Sequence, residues 1–294
     1  MKWHRAPAKL NLSLQVLGRR EDGYHELESL VAFADVSDWL GFAPGPAFSL
    51  AVEGPGAGDA GPLDDNLVAR AARALAARVP NLTTGAFRLV KRLPAAAGLG
   101  GGSSDAAACL RALAAANGLA PDDPDVMAAA SETGSDVPVC VSARARTMAG
   151  VGDRLGAPVA IPDLVAVLVN PRRAVATRDV FEALGMPKGF CGDGAPGGAD
   201  VSPGAGPPGA ALPVTLDALA ALGNDLEAPA LEVLPAIGDV LDRLRRLAGA
   251  KLVRMSGSGA TCFALFDEPR AAAAGRARLA AEAPGWWVAA GALR

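Results

Sequence analysis

Hydrophobic and polar positions alternate strictly from Leu10 to Val16. Leucine and valine side chains occupy one face of this segment, and the other face carries polar residues that begin with Lys9 and Asn11. A period of two is typical of a β-strand with one buried face. We therefore expect a half-buried strand here, with Lys9 and Asn11 on its polar side, facing solvent.

Helical and extended patterns follow one another along the rest of the chain. Helices are expected at residues 67–79, 104–116, 177–184, 229–247 and 269–282. Asn66 and Thr177 are candidate N-caps, whereas Asn117-Gly118 and Gly185 are typical helix ends. Short apolar runs predict strands at residues 87–93, 164–169, 251–255, 261–266 and 286–290.

The order of these elements lacks the regular strand–helix–strand period of a doubly wound sheet. It predicts an α+β fold in two halves, which part near residues 155–163. We expect an N-terminal domain at residues 1–158 and a C-terminal domain at residues 159–294. Within the second, residues 185–213 are rich in Gly and Pro and have no periodicity, which is typical of a mobile surface loop.

Composition excludes several classes of protein. The chain has 294 residues, is 51% hydrophobic and has a formal net charge of −3. It can bury a full core, and it lacks the basic character that binding to nucleic acid usually requires. No apolar run approaches the length of a membrane span, and the segment from Met1 to Arg5 lacks the apolar part of a signal peptide. We expect a cytoplasmic protein with no nucleic-acid or membrane partner.

Cysteine and histidine are too sparse for several kinds of site. The four cysteines include no CxxC pair, and the two histidines are His4 and His25. A zinc site, a redox dithiol or a metal centre built on several imidazoles is therefore not expected, and we assign no metal ligand. Carboxylates or a lysine are better candidates for proton transfer.

The strongest chemical signal is the glycine-rich segment from Pro94 to Ser104, which lies between a predicted strand and a predicted helix. It reads PAAAGLGGGSS. Glycines let backbone N–H groups approach an anion, and the following helix N-terminus attracts negative charge. Ser103 and Ser104 add hydroxyls that can bind phosphate oxygens. The segment lacks the lysine of a Walker loop, and Ser103 stands where the dinucleotide-binding pattern GxGxxG requires its last glycine.

Weaker signals lie elsewhere in the chain. The turn MSGSGAT at residues 255–261 can form a second wall of a phosphate site, although alone it is only a tight turn. Asp136 lies in the turn GSDVP, at the end of a segment that we also expect to be helical, and an Asp in such a turn is most often a cap. Tyr24, the only tyrosine, precedes His25 in the segment DGYHE, which alone is a hairpin turn.

Taken in order, the segments PAKLNL, GRREDGYHELESL, LPAAAGLGGGSSDAA, GSDVP and MSGSGATCFALF resemble the GHMP family of small-molecule kinases. They extend from residue 6 to residue 266. The GYHEL segment is similar to the branch that phosphorylates the 2-hydroxyl of 4-diphosphocytidyl-2-C-methyl-D-erythritol, giving the 2-phosphate and ADP, in non-mevalonate isoprenoid precursor biosynthesis. The resemblance implies the two-domain GHMP fold, with an N-terminal half like ribosomal protein S5 domain 2 and a C-terminal ferredoxin-like half.

The resemblance also implies roles for individual residues. Asp136 would be the general base and Lys9 would orient it and the attacking hydroxyl. The ATP-binding residues would be Pro94, Ala95, Ala96, Ala97, Gly98, Leu99, Gly100, Gly101, Gly102, Ser103 and Ser104, with Asn66 and Lys91 near the nucleoside. The residues lining the cytidine side would be Asn11, Tyr24, His25, Thr177 and Phe181, with Tyr24 stacked on cytosine, His25 hydrogen-bonded to its edge and Phe181 as the other half of the stack.

The implied cosubstrate is ATP with Mg²⁺, and the implied partner is a cytidine diphosphate sugar alcohol. We expect a monomer or a weak homodimer. Three alternatives remain at this stage: a GHMP kinase acting on homoserine, mevalonate or a sugar, a nucleotide-binding regulator without catalysis, and a dinucleotide-binding oxidoreductase. The Tyr24-His25 pair argues against the other GHMP kinases, which would not need an aromatic ring and an imidazole there. The presence of both Lys9 and Asp136 argues against a regulator without catalysis. The interrupted GxGxxG argues against an oxidoreductase.

Overall fold

The computed structural model describes residues 1–191 and 214–294. The chain forms two compact units: the first comprises Met1–Lys9, Val36–Ala95 and Gly100–Ala143, and the second comprises Leu10–Asp35, Ala96–Leu99 and Arg144–Arg294. Each unit draws on several segments of the chain. The predicted domains, residues 1–158 and 159–294, are continuous halves of the sequence and stay a prediction. Most of the predicted loop at residues 185–213 lies outside the described residues.

The sheet of the first unit contains β4 (Ser49–Glu53), β5 (Thr84–Val90) and the last residues of β3 (His25–Gly45). Strand β5 runs antiparallel to β3 and parallel to β4. Buried and exposed positions alternate along β5, as expected for a strand with one covered face. The predicted strand at residues 87–93 ends earlier, at Val90, because the next backbone N–H groups bond to Glu53 and to the side chain of Asp38.

Four helices belong to the first unit: α1 (Leu67–Ala76), α2 (Gly101–Ala116), α3 (Pro124–Thr133) and α4 (Val137–Ser142). The predicted Asn66 cap is confirmed, since its side chain accepts a hydrogen bond from the N–H of Val68. Helix α2 begins three residues before the predicted start at Ser104. Its first turn is closed by a bond from the Ser104 N–H to the Gly100 carbonyl. Helix α2 packs against α1, α3 and α4.

In the second unit, the first part of β3 pairs with β2 (Gln15–Arg19) and with β6 (Arg146–Gly150). Two further strands, β7 (Arg154–Pro158) and β9 (Phe190–Cys191), extend this sheet through β6 and β2. The prediction of one strand over residues 10–16 was wrong. Strand β1 (Lys2–Asn11) ends at Asn11, and β2 begins at Gln15. Residues 10–14, which span the end of β1 and the connection to β2, are all buried, whether apolar or polar.

The C-terminal sheet contains β8 (Val165–Asn170), β10 (Leu252–Met255), β11 (Cys262–Phe266) and β12 (Trp287–Ala292). Its spatial order is β10-β11-β8-β12, and every neighbouring pair is antiparallel. Helices α8 (Ala236–Arg245) and α9 (Pro269–Glu282) pack against these strands. This connectivity is the ferredoxin-like arrangement. The predicted α+β fold class and its ferredoxin-like second half are therefore confirmed.

Two predictions about helices of the second unit need correction. The helix expected at residues 229–247 is two helices, α7 (Glu227–Val233) and α8, because Pro235 has no N–H to continue the first one. Helix α5 (Thr177–Ala183) is preceded by Ala176 as its N-cap. Thr177 is thus not the cap, and its hydroxyl lies 2.9 Å from the Ser258 hydroxyl instead.

A short helix α6 (Leu216–Ala221) and two 3-10 helices, at Ala57–Asp59 and Leu63–Asp65, complete the described elements. Within residues 1–191 and 214–294, no helix has both the length and the apolar character needed to cross a membrane.

Candidate active site

Strand β1 and the turn before α4 bring Lys9 and Asp136 together in the first unit. The Lys9 ammonium lies 2.9 Å from Asp136 Oδ2, and the two side chains are 4% and 33% exposed. Asp136 occupies the N-cap position of α4 but makes no capping bond, so its carboxylate is directed to the ammonium instead. The expectation of a solvent-facing Lys9 was therefore wrong. A buried ammonium is held by a carboxylate that solvent can still reach.

The end of the glycine-rich segment lies directly over the stem of Lys9. Gly100 has a φ of 58°, and a Cβ added there would lie 3.2 Å from both Cβ and Cε of Lys9. Gly100 is also the N-cap of α2 and provides no capping side chain. The N–H groups of the first turn, which belong to Gly101, Gly102 and Ser103, have no acceptor within the helix. Such a helix N-terminus can bind an anion, and it lies in the same unit as the Lys9–Asp136 pair.

Ser104 has a different position from the one expected. Its side chain is fully buried, and its hydroxyl donates to the Pro7 carbonyl at 2.7 Å. The Cys140 sulfur lies 3.4 Å from the same oxygen. The Ser104 hydroxyl therefore fastens α2 to β1 and α4, and it is not presented to a phosphate. Ser103 remains partly exposed at the helix start.

In the second unit, residues 96–99 of the glycine-rich segment are held by the turn after β10. The Ser256 hydroxyl donates to the Gly98 carbonyl at 2.9 Å and accepts from the Asn11 N–H at 3.1 Å. The Thr261 N–H donates to the Ala97 carbonyl. The MSGSGAT turn thus fixes the backbone of the glycine-rich segment and of Asn11, a role that the sequence alone did not indicate.

The side chain of Asn224 holds the MSGSGAT turn in place. Its side-chain Nδ2 donates to the carbonyls of Met255 and Gly257, at 2.9 and 2.8 Å. Glu227 accepts from the Met255 N–H. No role was predicted for either residue, although two polar residues close to the start of α7 are a signal that could have directed attention to them.

Asn11 is almost fully buried, at 3% exposure, rather than facing solvent as expected. Its Nδ2 donates to the Ser29 hydroxyl at 2.7 Å, and Ser29 donates to the Ser13 carbonyl. These partners explain why polar residues of the alternating segment are buried.

The hairpin between β2 and β3 presents Tyr24 and His25. Tyr24 is 65% exposed. His25 stacks on Phe181 of α5, with ring centroids 4.4 Å apart and planes at 24°. Burial, aided by the positive charge of Arg19, lowers the pKa of His25, and its Nε2 is buried without a partner. Phe181 therefore orients the His25 ring.

Lys91 and Asn66 occupy structural positions. Asn66 caps α1, and the Lys91 ammonium is enclosed by the carboxylates of Asp38 and Asp105, both in the first unit. No role was predicted for Asp38 or Asp105. A charged residue inside an apolar strand, as at Asp38, was the available signal.

Among the residues that the structure describes, no group of three or more His, Cys, Asp or Glu side chains could hold a metal ion. The arrangement is instead one of a carboxylate–ammonium pair beside an open helix N-terminus. It can bind an anion and can accept a proton.

Comparison with known protein families gives two matches along the chain. The profile of the GHMP kinases N terminal domain matches residues 66–144, and that of the GHMP kinases C terminal matches residues 211–285. The first match includes the helix N-terminus at Gly100 and Asp136.

Individual relatives match over nearly the whole chain. The 4-diphosphocytidyl-2-C-methyl-D-erythritol kinase of Methylobacterium radiotolerans is 58% identical, with 97% of this chain and 96% of the relative covered. The protein of the same name from Rhodopseudomonas palustris is 56% identical, with 98% and 96% covered. A crystal structure of 4-(cytidine 5'-diphospho)-2C-methyl-D-erythritol kinase is 35% identical, covers 99% of both chains and gives a TM-score of 0.75.

Proposed function

The chain belongs to the 4-diphosphocytidyl-2-C-methyl-D-erythritol kinases of the GHMP kinase family, and from this membership we propose the reaction and the roles of its residues. The protein is an ATP-dependent small-molecule kinase. It phosphorylates the 2-hydroxyl of 4-diphosphocytidyl-2-C-methyl-D-erythritol and releases ADP, a step of non-mevalonate isoprenoid precursor biosynthesis. The observation that carries the proposal is the Lys9–Asp136 pair beside the uncapped N-terminus of α2.

Asp136 acts as the general base. The acceptor is a tertiary alcohol, which is crowded and weakly acidic, so its proton must leave as the phosphoryl group arrives. The Asp136 carboxylate is one-third exposed and can approach a bound hydroxyl, while its other interaction, with Lys9 at 2.9 Å, fixes its direction. The Lys9 ammonium offsets negative charge that develops on the acceptor oxygen.

The glycine-rich segment binds the phosphates of ATP. Backbone N–H groups at the start of α2 and the positive end of the helix dipole stabilise the negative charge of the transferring group. Mg²⁺ enters with ATP, as part of the substrate complex, and neutralises phosphate charge. Phosphoryl transfer depends mainly on positioning and charge stabilisation, so a catalytic imidazole is not required.

The cytidine part is bound by Tyr24 and His25. The exposed Tyr24 ring offers a face for the cytosine ring. The lowered pKa keeps His25 neutral near pH 7, so its imidazole has one donor and one acceptor nitrogen for a hydrogen bond with the edge of the base. Asn11, Thr177 and Phe181 line the same side in this proposal, and Asn66 and Lys91 support the nucleoside side of ATP. We further propose that the protein is cytoplasmic, is a monomer or a weak homodimer, and has no nucleic-acid partner.

A coupled ADP-release assay with Mg-ATP tests the reaction. We expect turnover with 4-diphosphocytidyl-2-C-methyl-D-erythritol, and background rates with mevalonate and homoserine. ATP binding without turnover on the cytidyl substrate would refute the substrate assignment. Equal turnover on mevalonate would refute the role of Tyr24 and His25 in selection.

A further inference from the structure

A buried charge cluster underlies the start of α2. It consists of Asp38 on β3, Lys91 just after β5, and Asp105 in the second turn of α2. Their side chains are 0%, 7% and 3% exposed. Lys91 Nζ lies 2.7 Å from Asp105 Oδ2 and also bonds to Asp38 Oδ2. All three residues lie in the first unit, so their arrangement belongs to one compact body.

The cluster contacts the glycine-rich segment at two places in the first unit, just before Pro94 and at Gly101. Asp38 Oδ1 accepts from the N–H groups of Arg92 and Leu93, which directly precede Pro94. A Cβ added to Gly101 would lie 3.5 Å from Lys91 Nζ. The ammonium is therefore immediately beneath the first residue of α2. Lys91 supports the ATP-binding N-terminus from inside the protein rather than from the solvent side.

The charges of the cluster do not balance when both carboxyls are ionised. One ammonium then faces two carboxylates, which leaves a net negative charge in a buried site. Asp38 accepts from three donors, namely Lys91 and two backbone N–H groups, whereas Asp105 accepts from Lys91, and its Oδ1 is buried without a partner. Asp105 is thus the carboxyl with fewer donors, and a proton on it reduces the cost of its buried, unpartnered oxygen.

Burial, and to a smaller degree the negative charge of Asp38, raises the pKa of Asp105 to about 8, although Lys91 opposes this shift. The other charged groups on the elements around α2 do not offset this rise in the pKa of Asp105. On α1 and α3 these are Arg70, Arg73, Asp125 and Glu132, which are exposed; on the strands they are Glu53 and Arg88, which pair with each other. At α4, Lys9 and Asp136 pair with each other, and burial raises the pKa of Cys140 to about 12, so its thiol is neutral.

We propose that Asp105 is a positioning residue for ATP binding and makes that binding depend on its own proton. With a proton on Asp105 the cluster is neutral, and the N-terminus of α2 binds phosphate. Loss of that proton places a negative charge beneath the phosphate site and weakens nucleotide affinity. The inference rests on the kinase activity and on ATP binding at this N-terminus. It does not depend on which alcohol accepts the phosphoryl group.

Calorimetric titration with Mg-ADP between pH 7 and 9, in excess Mg²⁺, tests the proposal without an acceptor. The phosphates of Mg-ADP are fully ionised throughout this range, so the ligand does not change. We expect the dissociation constant of the wild-type protein to begin to rise near pH 8 and to be about fivefold higher at pH 9 than at pH 7. This is the lower part of a rise of about tenfold, the scale of one added unit charge close to a phosphate. A flat profile for the wild-type protein would overturn the proposal.

Two variants separate this effect from a purely structural role. Asp105→Asn keeps the shape of the side chain and cannot ionise, so its dissociation constant should stay at the low-pH value of the wild-type protein across the range. Asp38→Asn leaves Lys91 with a single carboxyl, which makes the ionised Asp105 the favoured partner, so the step should move below pH 7. A structural role alone would change affinity or melting temperature and leave the wild-type step in place in both variants. That result would overturn the proposal, and Asp38→Asn provides the test if Asp105→Asn fails to fold.

Discussion

Replacement of Asp136 by Asn removes the proposed base with little change in shape. An amide cannot take a proton from the acceptor hydroxyl, and loss of a general base lowers turnover by about 10²- to 10⁴-fold. This corresponds to about 3 to 5 kcal/mol of transition-state stabilisation. The Asn side-chain oxygen can still accept from Lys9, which is 2.9 Å from the carboxylate in the wild-type protein. The free energy of unfolding should therefore fall by only about 1–2 kcal/mol, so the variant remains folded.

Steady-state ADP release at saturating Mg-ATP and cytidyl substrate measures the loss, and calorimetry with Mg-ADP measures nucleotide binding, which should change less than about threefold. Ser135→Ala is the matched control, because Ser135 is exposed, precedes Asp136 in the same turn and has no part in the proposed proton transfer. Wild-type turnover in Asp136→Asn would refute the role of this carboxylate. An equal loss in Ser135→Ala would show that the turn, rather than the base, had been disturbed.

Three further changes test other parts of the account. Tyr24→Ala should raise KM for the cytidyl substrate about tenfold or more while kcat changes less, because base stacking contributes about 1–3 kcal/mol; unchanged affinity for cytidine diphosphate would contradict the stack. Gly98→Ala should lower the melting temperature markedly in a thermal scan, since its φ is +71° and an added Cβ would overlap the Ser256 carbonyl, whereas Gly58→Ala, with open space around it, should melt like the wild-type protein. The pKa of Asp105 is raised in the folded state, so this residue favours the folded protein at acid pH and that contribution is lost as the pH rises through about 8; denaturant titrations of Asp105→Asn should show a smaller decline of stability between pH 5 and 9 than the wild-type protein.

Much of the fold could be predicted from local pattern. The Asn66 cap, the bounds of α9 at Pro269–Glu282, and the strand β11 follow from short-range signals in the sequence. The break at Pro235 was also present in the sequence, since proline cannot continue a helix, but the strong apolar periodicity on both sides favoured one long helix.

The errors around Lys9 and Asn11 have a different origin. Alternation identifies the polar face of a strand, yet it does not show whether that face meets water or other polar groups. Lys9 meets Asp136, which is distant in sequence, and Asn11 meets Ser29. The family resemblance had implied the Lys9–Asp136 pair, whereas the contact between Asn11 and Ser29 becomes visible only in the folded chain. Both contacts bury side chains that the alternation alone places in solvent.

The same limit applies to the glycine-rich segment. Its composition predicts anion binding, and Gly100 at the N-cap of α2 fits that expectation. The sequence did not show that Ser104 faces inward to Pro7, nor that Asp38 and Asp105 enclose Lys91 below the segment. Residues that hold a binding loop from beneath leave no local signature, because their partners come from separate strands and helices.

The central claim is phosphoryl transfer to the tertiary 2-hydroxyl, and ³¹P nuclear magnetic resonance of the product tests it most directly. After reaction of 4-diphosphocytidyl-2-C-methyl-D-erythritol with Mg-ATP, we predict one new phosphomonoester signal, with the diphosphate signals of the substrate retained. Carbon 2 bears no hydrogen, so the new signal should show no three-bond splitting by a carbinol proton. A doublet or triplet would place the phosphate on a secondary or primary hydroxyl, and release of inorganic phosphate alone would show hydrolysis of ATP; either result would contradict the account.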